Sequence, residues 1–305
     1  MLGLPESYYS TFIIEERFGF NKTTMKTFIT DLIKGLVLGG IIGLPIIYAL
    51  MKFVTLMPQN WWIVGWAFLM LVQIILLFAY PRFIAPLFNK FSPMEEGETK
   101  EKVLELLKRT GFSSNGLFVM DASRRSSHGN AYFTGFGKNK RIVFFDTLLK
   151  SLNPVEVEAV LAHELGHFKK KHVLKMIIKS FIFSLVGFFI LGQLINSQVF
   201  FNGHGIQEPT IAKAFLLFSM VASLYTYFLT PISSYFSRKH EFEADTFASE
   251  NANAEDLISA LIKLYKENSS TLTPDPLYSS FYHSHPPALT RVQFLESLKN
   301  LKKKK

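Results

Sequence analysis

No cysteine occurs among the 305 residues of this sequence. Disulfides, thiolate zinc sites and cysteine nucleophiles are therefore excluded, and any metal ion has to be held by histidine and carboxylate side chains. A signal-peptide pattern is also missing, because the first ten residues are polar and aromatic rather than basic and then apolar. We expect no cleavable leader.

Charged residues are lacking in four long stretches, at 35–51, 61–80, 180–201 and 214–237. Each has roughly the 20 residues that an α-helix needs to cross the hydrocarbon core of a bilayer. The chain is 49% hydrophobic with a mean hydropathy of +0.21, which is too apolar for an ordinary soluble protein. The sequence predicts a mainly α-helical, polytopic membrane protein with about four transmembrane helices, and Pro231 is expected to kink the last one.

The formal net charge of +9 fits nucleic-acid binding, an anionic membrane surface or the charge bias of a membrane protein. The positions of Lys and Arg decide among these. They lie mostly in 1–34, 81–172 and 238–305, whereas the connections at 52–60 and 202–213 contain one lysine each. By the positive-inside rule the basic segments lie in the cytosol. The lipid bilayer is therefore an expected partner, and nucleic acid is not.

Residues 81–172 have the pattern of a small soluble α+β domain. The apolar spacing at 95–110 predicts an amphipathic helix that ends before Gly111. Three strands are predicted after it, at 117–120, at 130–137 with a turn back at 138–140, and at 141–145. A short sheet should thus lie directly upstream of the next helix.

That next helix carries the pattern H-E-L-G-H at 163–167. Asn153 is a favourable N-cap and Pro154 suits the first helical position. Because a helix has 3.6 residues per turn, His163 and His167 lie on one face, where two ring nitrogens can bind one Zn²⁺. Glu164 lies beside that position, as expected of a general base that takes a proton from the attacking water.

Zinc sites that catalyse hydrolysis need a third protein ligand, and the segment after the fourth span offers one. If its helix continues beyond the membrane, Glu241 and Asp245 share a face, whereas Glu243 points to the opposite side. We predict Glu241 as the third ligand and Asp245 as the group that orients a ligand histidine through its other nitrogen. His240 is the alternative ligand. By themselves, these carboxylates would suggest a solvated charged turn after a membrane helix. Because the H-E-L-G-H motif is predicted on the same side of the membrane, the metal site is favoured instead.

These patterns divide the chain into two parts. Residues 1–80 hold the N-terminal segment and two membrane helices. Residues 81–305 are predicted to form a zinc metalloprotease domain. Its small cytosolic α+β portion contains the H-E-x-x-H helix and a short β-sheet. The same domain includes two further membrane helices, at about 180–201 and 214–237.

Several separate motifs resemble the type I CAAX prenyl endopeptidases, and the similarity runs in order from about residue 7 to the end. The motifs are H-E-L-G-H-F at 163–168, H-E-F-E-A-D-T-F-A at 240–248, D-P-L-Y-S-S and S-H-P-P within 275–287, R-S-S-H-G-N-A-Y-F at 125–133, and R-I-V-F-F-D-T-L at 141–148. The resemblance implies a membrane-embedded, gluzincin-type zinc protease that removes the last three residues from prenylated CAAX proteins. It implies one Zn²⁺ per chain, held by His163, His167 and Glu241, with Glu164 as general base.

The resemblance also implies roles for residues that the motifs alone would not select. His285 and Arg291 would contact the tetrahedral intermediate or the C-terminal end of the substrate, and Asn130 and Ala131 would lie on the edge strand that pairs with the extended peptide. Without the family, His285 before two prolines would be a loop residue, Arg291 a surface cation and Asn130 a turn residue. His283 receives no role.

Members of this family have seven membrane helices around a large chamber, and by our count this chain keeps only the last four, so we expect the N-terminal membrane helices to be missing. The family also implies the endoplasmic reticulum membrane, with the active site facing the cytosol. The basic tail at 302–305 fits either a dilysine retrieval signal or attraction to anionic lipid.

Other functions remain open on the sequence. A membrane quality-control protease would use the same chemistry without a prenyl group. A shortened chain would alternatively serve as a non-catalytic zinc-binding scaffold. A transporter or channel is disfavoured, because the four apolar stretches contain no acidic or basic residue of the kind that marks an ion path.

Overall fold

The structure is a computed structural model that describes residues 3–134 and 140–303, without the side chains of the last two. The predicted turn at 138–140, the end of the predicted strand at 130–137 and the basic tail at 302–305 therefore lie wholly or partly outside the described residues.

The described chain is mainly helical. Its α-helices are α1 Leu4–Tyr9, α2 Met25–Leu56, α3 Trp61–Ala79, α4 Ala85–Phe88, α5 Glu98–Arg109, α6 Asp146–Ser151, α7 Pro154–Lys169, α8 His172–Leu194, α9 Gln198–Gly203, α10 Ile211–Thr226, α11 Thr230–Asn251, α12 Ala254–Glu267, α13 Pro276–Tyr282 and α14 Ala288–Lys303. Short π-helical turns occur at Ser10–Glu15 and Tyr80–Ile84, and short 3₁₀ turns at Ala122–Arg124 and Tyr227–Leu229.

Four short strands form one mixed sheet. They are β1 Phe91–Pro93, β2 Leu117–Met120, β3 Ala131–Thr134 and β4 Arg141–Phe145, in the order β1-β2-β4-β3. The pair β2 and β4 is parallel, and the outer pairs are antiparallel, with Ala131 opposite Phe144. The predicted bounds of β2 and β4 are confirmed, and β3 lies within the predicted 130–137 segment at one edge of the sheet.

The N-terminal cap of α7 follows from its sequence. The Oδ1 atom of Asn153 accepts a hydrogen bond from the Glu156 N–H (3.0 Å), and the Glu156 carboxylate accepts one from the Asn153 N–H (2.9 Å), which completes a capping box before Pro154. Glu156 is buried and also receives hydrogen bonds from Ser259 (2.6 Å) and Lys263 (2.7 Å) of α12. The start of α7 is therefore fixed both locally and by a distant helix.

By internal contacts the chain divides into two interleaved units, Met1–Asp31 with Tyr80–His172 and Ser233–Lys305, and Leu32–Ala79 with Val173–Ile232. The first unit contains the sheet, α5 to α7 and α12 to α14. Its core packs the apolar faces of α5, α7, α12 and α14 against the sheet through residues such as Val103, Ile142, Leu161, Leu257 and Leu295, each at most 1% exposed. The predicted division of the chain into residues 1–80 and 81–305 stays a prediction.

The second unit contains the greater part of the long apolar helices, whose ends reach into the first unit's residue ranges. Four helices of the described chain are long and apolar enough to cross a membrane: Met25–Leu56, Trp61–Phe88, His172–Leu194 and Ile211–Asn251. Many of their large apolar side chains are exposed, including Ile41 (66%) and Leu44 (68%), as expected of surfaces that face lipid. The protein is thus a multi-pass membrane protein, and its described residues contain four candidate spans, as predicted.

The predicted bounds of the last two spans need correction. The helix expected at 180–201 begins earlier and ends at Leu194, and residues up to 201 belong partly to the separate helix α9, which Ser197 caps. The basic side chains near the start of α8 do not end the helix, because long lysine side chains keep their ammonium groups in water while their stems stay apolar. The span expected at 214–237 lies within a longer helical stretch, Ile211–Asn251, which has a 3₁₀ turn at Tyr227–Leu229, two residues before Pro231 and near the predicted kink.

Candidate active site

Three side chains that can bind a metal converge between α7 and α11. His163 and His167 come from successive turns of α7, and Glu241 comes from α11. The two histidine Nε2 atoms are 3.2 Å apart, Glu241 Oε2 is 3.5 Å from His163 Nε2, and Glu241 Oε1 is 3.3 Å from His167 Nε2. This cluster brings together the two histidines of the motif and the predicted third ligand from a helix more than seventy residues later in the sequence.

The cluster fits a tetrahedral metal ion. In a tetrahedral site, ligand atoms about 2.0–2.1 Å from the ion are about 3.3 Å from one another. The three distances between the nitrogen and oxygen atoms of this cluster, 3.2, 3.5 and 3.3 Å, are close to that value. The Oε2 atom of Glu241 is buried, and no hydrogen bond of good geometry reaches it from the described residues, although His285 Nδ1 is 3.0 Å away. A buried, unsatisfied carboxylate oxygen facing two imidazole nitrogens is a poor arrangement for apolar packing and a good one for a cation.

The two helices can approach this closely because Gly166 has no side chain. A Cβ atom at Gly166 would lie 2.8 Å from Ala244 Cα and 3.0 Å from Ala244 O on α11. The glycine of the H-E-L-G-H pattern therefore sets the distance between the helix that supplies the two histidines and the helix that supplies the glutamate.

Behind His163 lies a buried carboxylate with its own cation. His163 Nδ1 is 2.8 Å from Asp245 Oδ1, so the ring donates there and its Nε2 is left to face the cluster. Arg291, from α14, binds the same carboxylate through two nitrogens, with Nε 2.9 Å from Oδ2 and Nη2 2.6 Å from Oδ1. The Arg291 side chain is only 7% exposed, and its Nη1 is 3.6 Å from Glu241 Oε2. Asp245 thus contacts the second nitrogen of a predicted ligand histidine, and its orienting role stays a prediction.

Burial and charge shift three pKa values around the cluster. Burial disfavours the charged ring of His163, but the neighbouring carboxylates of Asp245 and Glu241 outweigh that effect and raise its pKa to about 9 in the absence of a metal ion. Burial would likewise lower the pKa of Arg291, yet the hydrogen bonds to Asp245 raise it. Burial raises the pKa of the Glu164 carboxyl, and the neighbouring His163 and His167 only partly oppose this.

His285 is the exposed member of the site. It follows α13, its side chain is 65% exposed, and its Nδ1 lies 3.0 Å from Glu241 Oε2. Two side chains that the sequence analysis missed hold its loop. Arg238 of α11 donates to the His283 carbonyl (2.7 Å), and Tyr265 of α12 donates to the Pro286 carbonyl (3.2 Å). The ring of His283, a residue for which the sequence predicts no role, is 5.5 Å from that of Tyr278.

Asn130 and Ala131 lie where β3 begins, at the sheet edge and next to α7, which contacts β3. The Asn130 carbonyl accepts a hydrogen bond from the Phe145 N–H (2.9 Å), and its side chain accepts one from the Ala131 N–H (2.8 Å). Ala131 is buried and Asn130 is exposed.

The alternative ligand His240 is not part of the cluster. Its ring stacks on that of His172, with centroids 4.0 Å apart and planes at 13°. His172 itself contacts His167 and Glu243, a set of contacts that the sequence analysis missed. The close spacing of three histidines at 163, 167 and 172 is the one feature of the sequence that could have indicated it.

A helix-borne H-E-x-x-H pair, completed by a glutamate from a later helix in a chain with four candidate spans, defines a membrane metallopeptidase. The sequence model of peptidase family M48 matches residues 93–299, and the model described as the CAAX prenyl protease N-terminal domain, with five membrane helices, matches residues 1–90. The chain belongs to peptidase family M48, and it is a metallopeptidase.

Similar proteins agree with this assignment. CAAX prenyl protease 1 of Saccharomyces cerevisiae is 41% identical over 99% of this chain and 70% of its own length, and its homolog of Homo sapiens is 37% identical over 98% and 71%. The crystal structure of S. mikatae Ste24p matches with a TM-score of 0.91 and 41% identity, over 97% of this chain and 72% of that chain.

One expectation is wrong. We expected the N-terminal membrane helices of the family to be missing, but residues 1–90 match the model of the family's N-terminal domain, and two candidate spans, Met25–Leu56 and Trp61–Phe88, lie in that range. The error has a physical reason. Uncharged runs reveal that a segment can cross a bilayer, but their number does not show which helix of a family each run corresponds to.

Proposed function

We propose that this protein is a zinc endopeptidase that removes the C-terminal aaX tripeptide from prenylated CAAX proteins. The observation that carries the proposal is the convergence of His163, His167 and Glu241, whose ligand atoms all lie within 4.8 Å of one another. These three residues would hold one Zn²⁺ per chain. The CAAX specificity follows from the relatives, whose names identify them as CAAX prenyl proteases.

The chemistry that Zn²⁺ supplies in such a site is Lewis acidity towards a carbonyl oxygen and towards water. Glu164 would take the proton of the attacking water on its carboxylate and then give it to the nitrogen of the leaving amine. The burial that raises the pKa of Glu164 suits this role, because a general base works best when its pKa approaches the working pH.

The surrounding residues would orient the ligands and the substrate. Asp245 holds the proton of His163 at Nδ1, and Arg291 neutralises that buried carboxylate. His285 is exposed beside Glu241 and would donate a hydrogen bond to the oxygen that becomes negative during peptide hydrolysis. We further propose that Arg291 attracts the C-terminal carboxylate of the substrate, although two of its nitrogens already bind Asp245.

The peptide part of the substrate would bind along β3. This strand is at the end of the sheet order and pairs on one side with β4. An extended peptide next to Asn130 and Ala131 would be held by main-chain hydrogen bonds, which do not depend on the identity of the a-a-X side chains.

The location follows from charge and family. We propose the endoplasmic reticulum membrane, with the active site facing the cytosol. The support is the concentration of Lys and Arg in 1–34, 81–172 and 238–305, which the positive-inside rule assigns to the cytosolic side.

The test is mass spectrometry of a farnesylated Cys-a-a-X peptide incubated with the detergent-purified protein, beside its unprenylated twin. Wild-type protein should release the tripeptide from the farnesylated peptide only. The Glu164→Gln variant should keep its zinc and lose about 10²–10⁴-fold in kcat, the usual contribution of a general base. Full activity of that variant would refute the mechanism.

Two other outcomes would favour the other functions. Equal cleavage of both peptides would identify a prenyl-independent quality-control protease. Zinc binding with no cleavage of either peptide would identify a non-catalytic scaffold.

A further inference from the structure

The second histidine of the motif has a support that neither the motif nor the family assignment describes. The Nδ1 atom of His167, on the far side of its ring from the cluster, is 3.0 Å from His172 Nδ1. The other nitrogen of His172, Nε2, is 3.0 Å from Glu243 Oε2. The His172 side chain is 1% exposed. The three side chains form a chain of hydrogen bonds that begins at a predicted metal ligand.

Only one assignment of protons fits these contacts when His167 binds a metal through Nε2. The proton of His167 is then on Nδ1, because the metal occupies the lone pair of Nε2. Two Nδ1 atoms 3.0 Å apart share one proton, so His172 Nδ1 is the acceptor. The proton of His172 is therefore on Nε2, where it is donated to the Glu243 carboxylate. In this arrangement each of the two contacts joins one donor to one acceptor.

The surrounding backbone and rings hold His172 in this position. It directly follows Lys171, whose φ of 57° turns the chain between α7 and α8. A residue with a Cβ atom rarely adopts this left-handed conformation, so the turn is held by its surroundings. The ring of His240 stacks on that of His172, with planes at 13°, which fixes the plane of the His172 ring.

We propose that His172 and Glu243 are positioning residues for the metal ligand His167. They fix its tautomer and its ring orientation, as Asp245 does directly for His163. The inference rests on the metal site of the proposed function and concerns zinc affinity, so it can be tested without a substrate.

Two substitutions of His172 separate its hydrogen bonds from its packing. In His172→Asn the amide oxygen takes about the place of Nδ1 and still accepts from His167. In His172→Gln the longer side chain places its polar atoms near the former Nε2, and His167 loses its acceptor. Glu243→Gln keeps an acceptor oxygen, and Glu243→Ala removes it. Glu250→Gln changes an exposed carboxylate on the same helix and is the matched control.

The measurement is the dissociation constant for Zn²⁺ of the detergent-purified 305-residue protein, by competition with a chelating dye. His172→Gln should weaken zinc binding about 10–100-fold, as loss of the partner of a ligand histidine usually does. The dissociation constant should change by less than about threefold in His172→Asn and in Glu243→Gln, because both keep an acceptor. It should rise by more than about threefold in Glu243→Ala and stay unchanged in Glu250→Gln. With Co²⁺ in place of Zn²⁺, the visible absorption bands should shift in His172→Gln and stay in place in His172→Asn.

Two results would overturn the inference. One is wild-type zinc affinity in His172→Gln, and the other is equal weakening in His172→Asn and His172→Gln, which would mean that only packing was lost. If His172→Gln does not fold, the comparison of Glu243→Ala with Glu243→Gln decides, and equal affinities of these two would overturn it. A wild-type protein without affinity for zinc would instead refute the metal site itself.

Discussion

Gly166 offers a quantitative test of how the two metal-binding helices are spaced. In Gly166→Ala, the new Cβ atom would start 2.8 Å from Ala244 Cα and 3.0 Å from Ala244 O. Both contacts are with the backbone of α11, which cannot rotate away as a flexible side chain can. Ordinary contact begins at 3.4 Å, so one helix has to move by about 0.6 Å.

The displacement should affect the metal site more than the fold. Overpacking of this kind costs about 1–3 kcal/mol, and each kcal/mol lowers the Tm of a protein of this size by about 2–4 °C. Functional geometries tolerate errors of only about 0.5 Å. Since Glu241 and Ala244 belong to the same helix, a shift of 0.6 Å carries Glu241 away from His163 and His167. We expect zinc affinity to fall at least about tenfold.

The assay combines thermal unfolding with zinc competition in detergent. Gly187→Ala is the matched control, because Gly187 lies inside α8 and a Cβ atom there has no neighbour within 4 Å. It should leave the Tm and zinc affinity unchanged. Wild-type zinc affinity in Gly166→Ala would refute the idea that this glycine sets the spacing.

Two further predictions concern buried charges. Glu156→Gln should lower stability by about 1–2 kcal/mol, a modest value because its partner Lys263 is 41% exposed. Burial opposes the ionised form of Glu156, but the hydrogen bonds from Lys263 and Ser259 lower its pKa below the ordinary value. The ionised carboxylate therefore contributes to the free energy of unfolding above about pH 4.5, and this contribution is lost as the pH falls. The Tm difference between wild type and variant should therefore shrink on going from pH 7 to pH 4, and a constant difference would contradict this. Arg291→Lys keeps the charge but loses one of the two hydrogen bonds to Asp245, and should cost about 1–3 kcal/mol and weaken zinc binding. Arg109→Lys, on an exposed ion pair, is its control and should cost less than about 1 kcal/mol.

Local patterns were sufficient for most of the secondary structure. The N-cap Asn153 and the strands β2 and β4 were predicted from a few adjacent residues, because caps and strand-forming runs act over short distances. Four spans were predicted because a bilayer requires long uncharged helices. Their bounds were less accurate, since lysines near the start of α8 remain in the helix.

The sequence by itself determined that two imidazoles share one helix face, and it selected Glu241 and Asp245 through their spacing in the next cytosolic segment. Only the tertiary structure decided that Arg291 binds Asp245 from behind and that His167 is supported by His172 and Glu243. The reason is physical. Helical spacing relates residues three or four positions apart, whereas Arg291 and Glu243 belong to helices that meet α7 only when the core of the domain packs. His172 is close in sequence, but the turn at Lys171 has to form before its ring reaches His167.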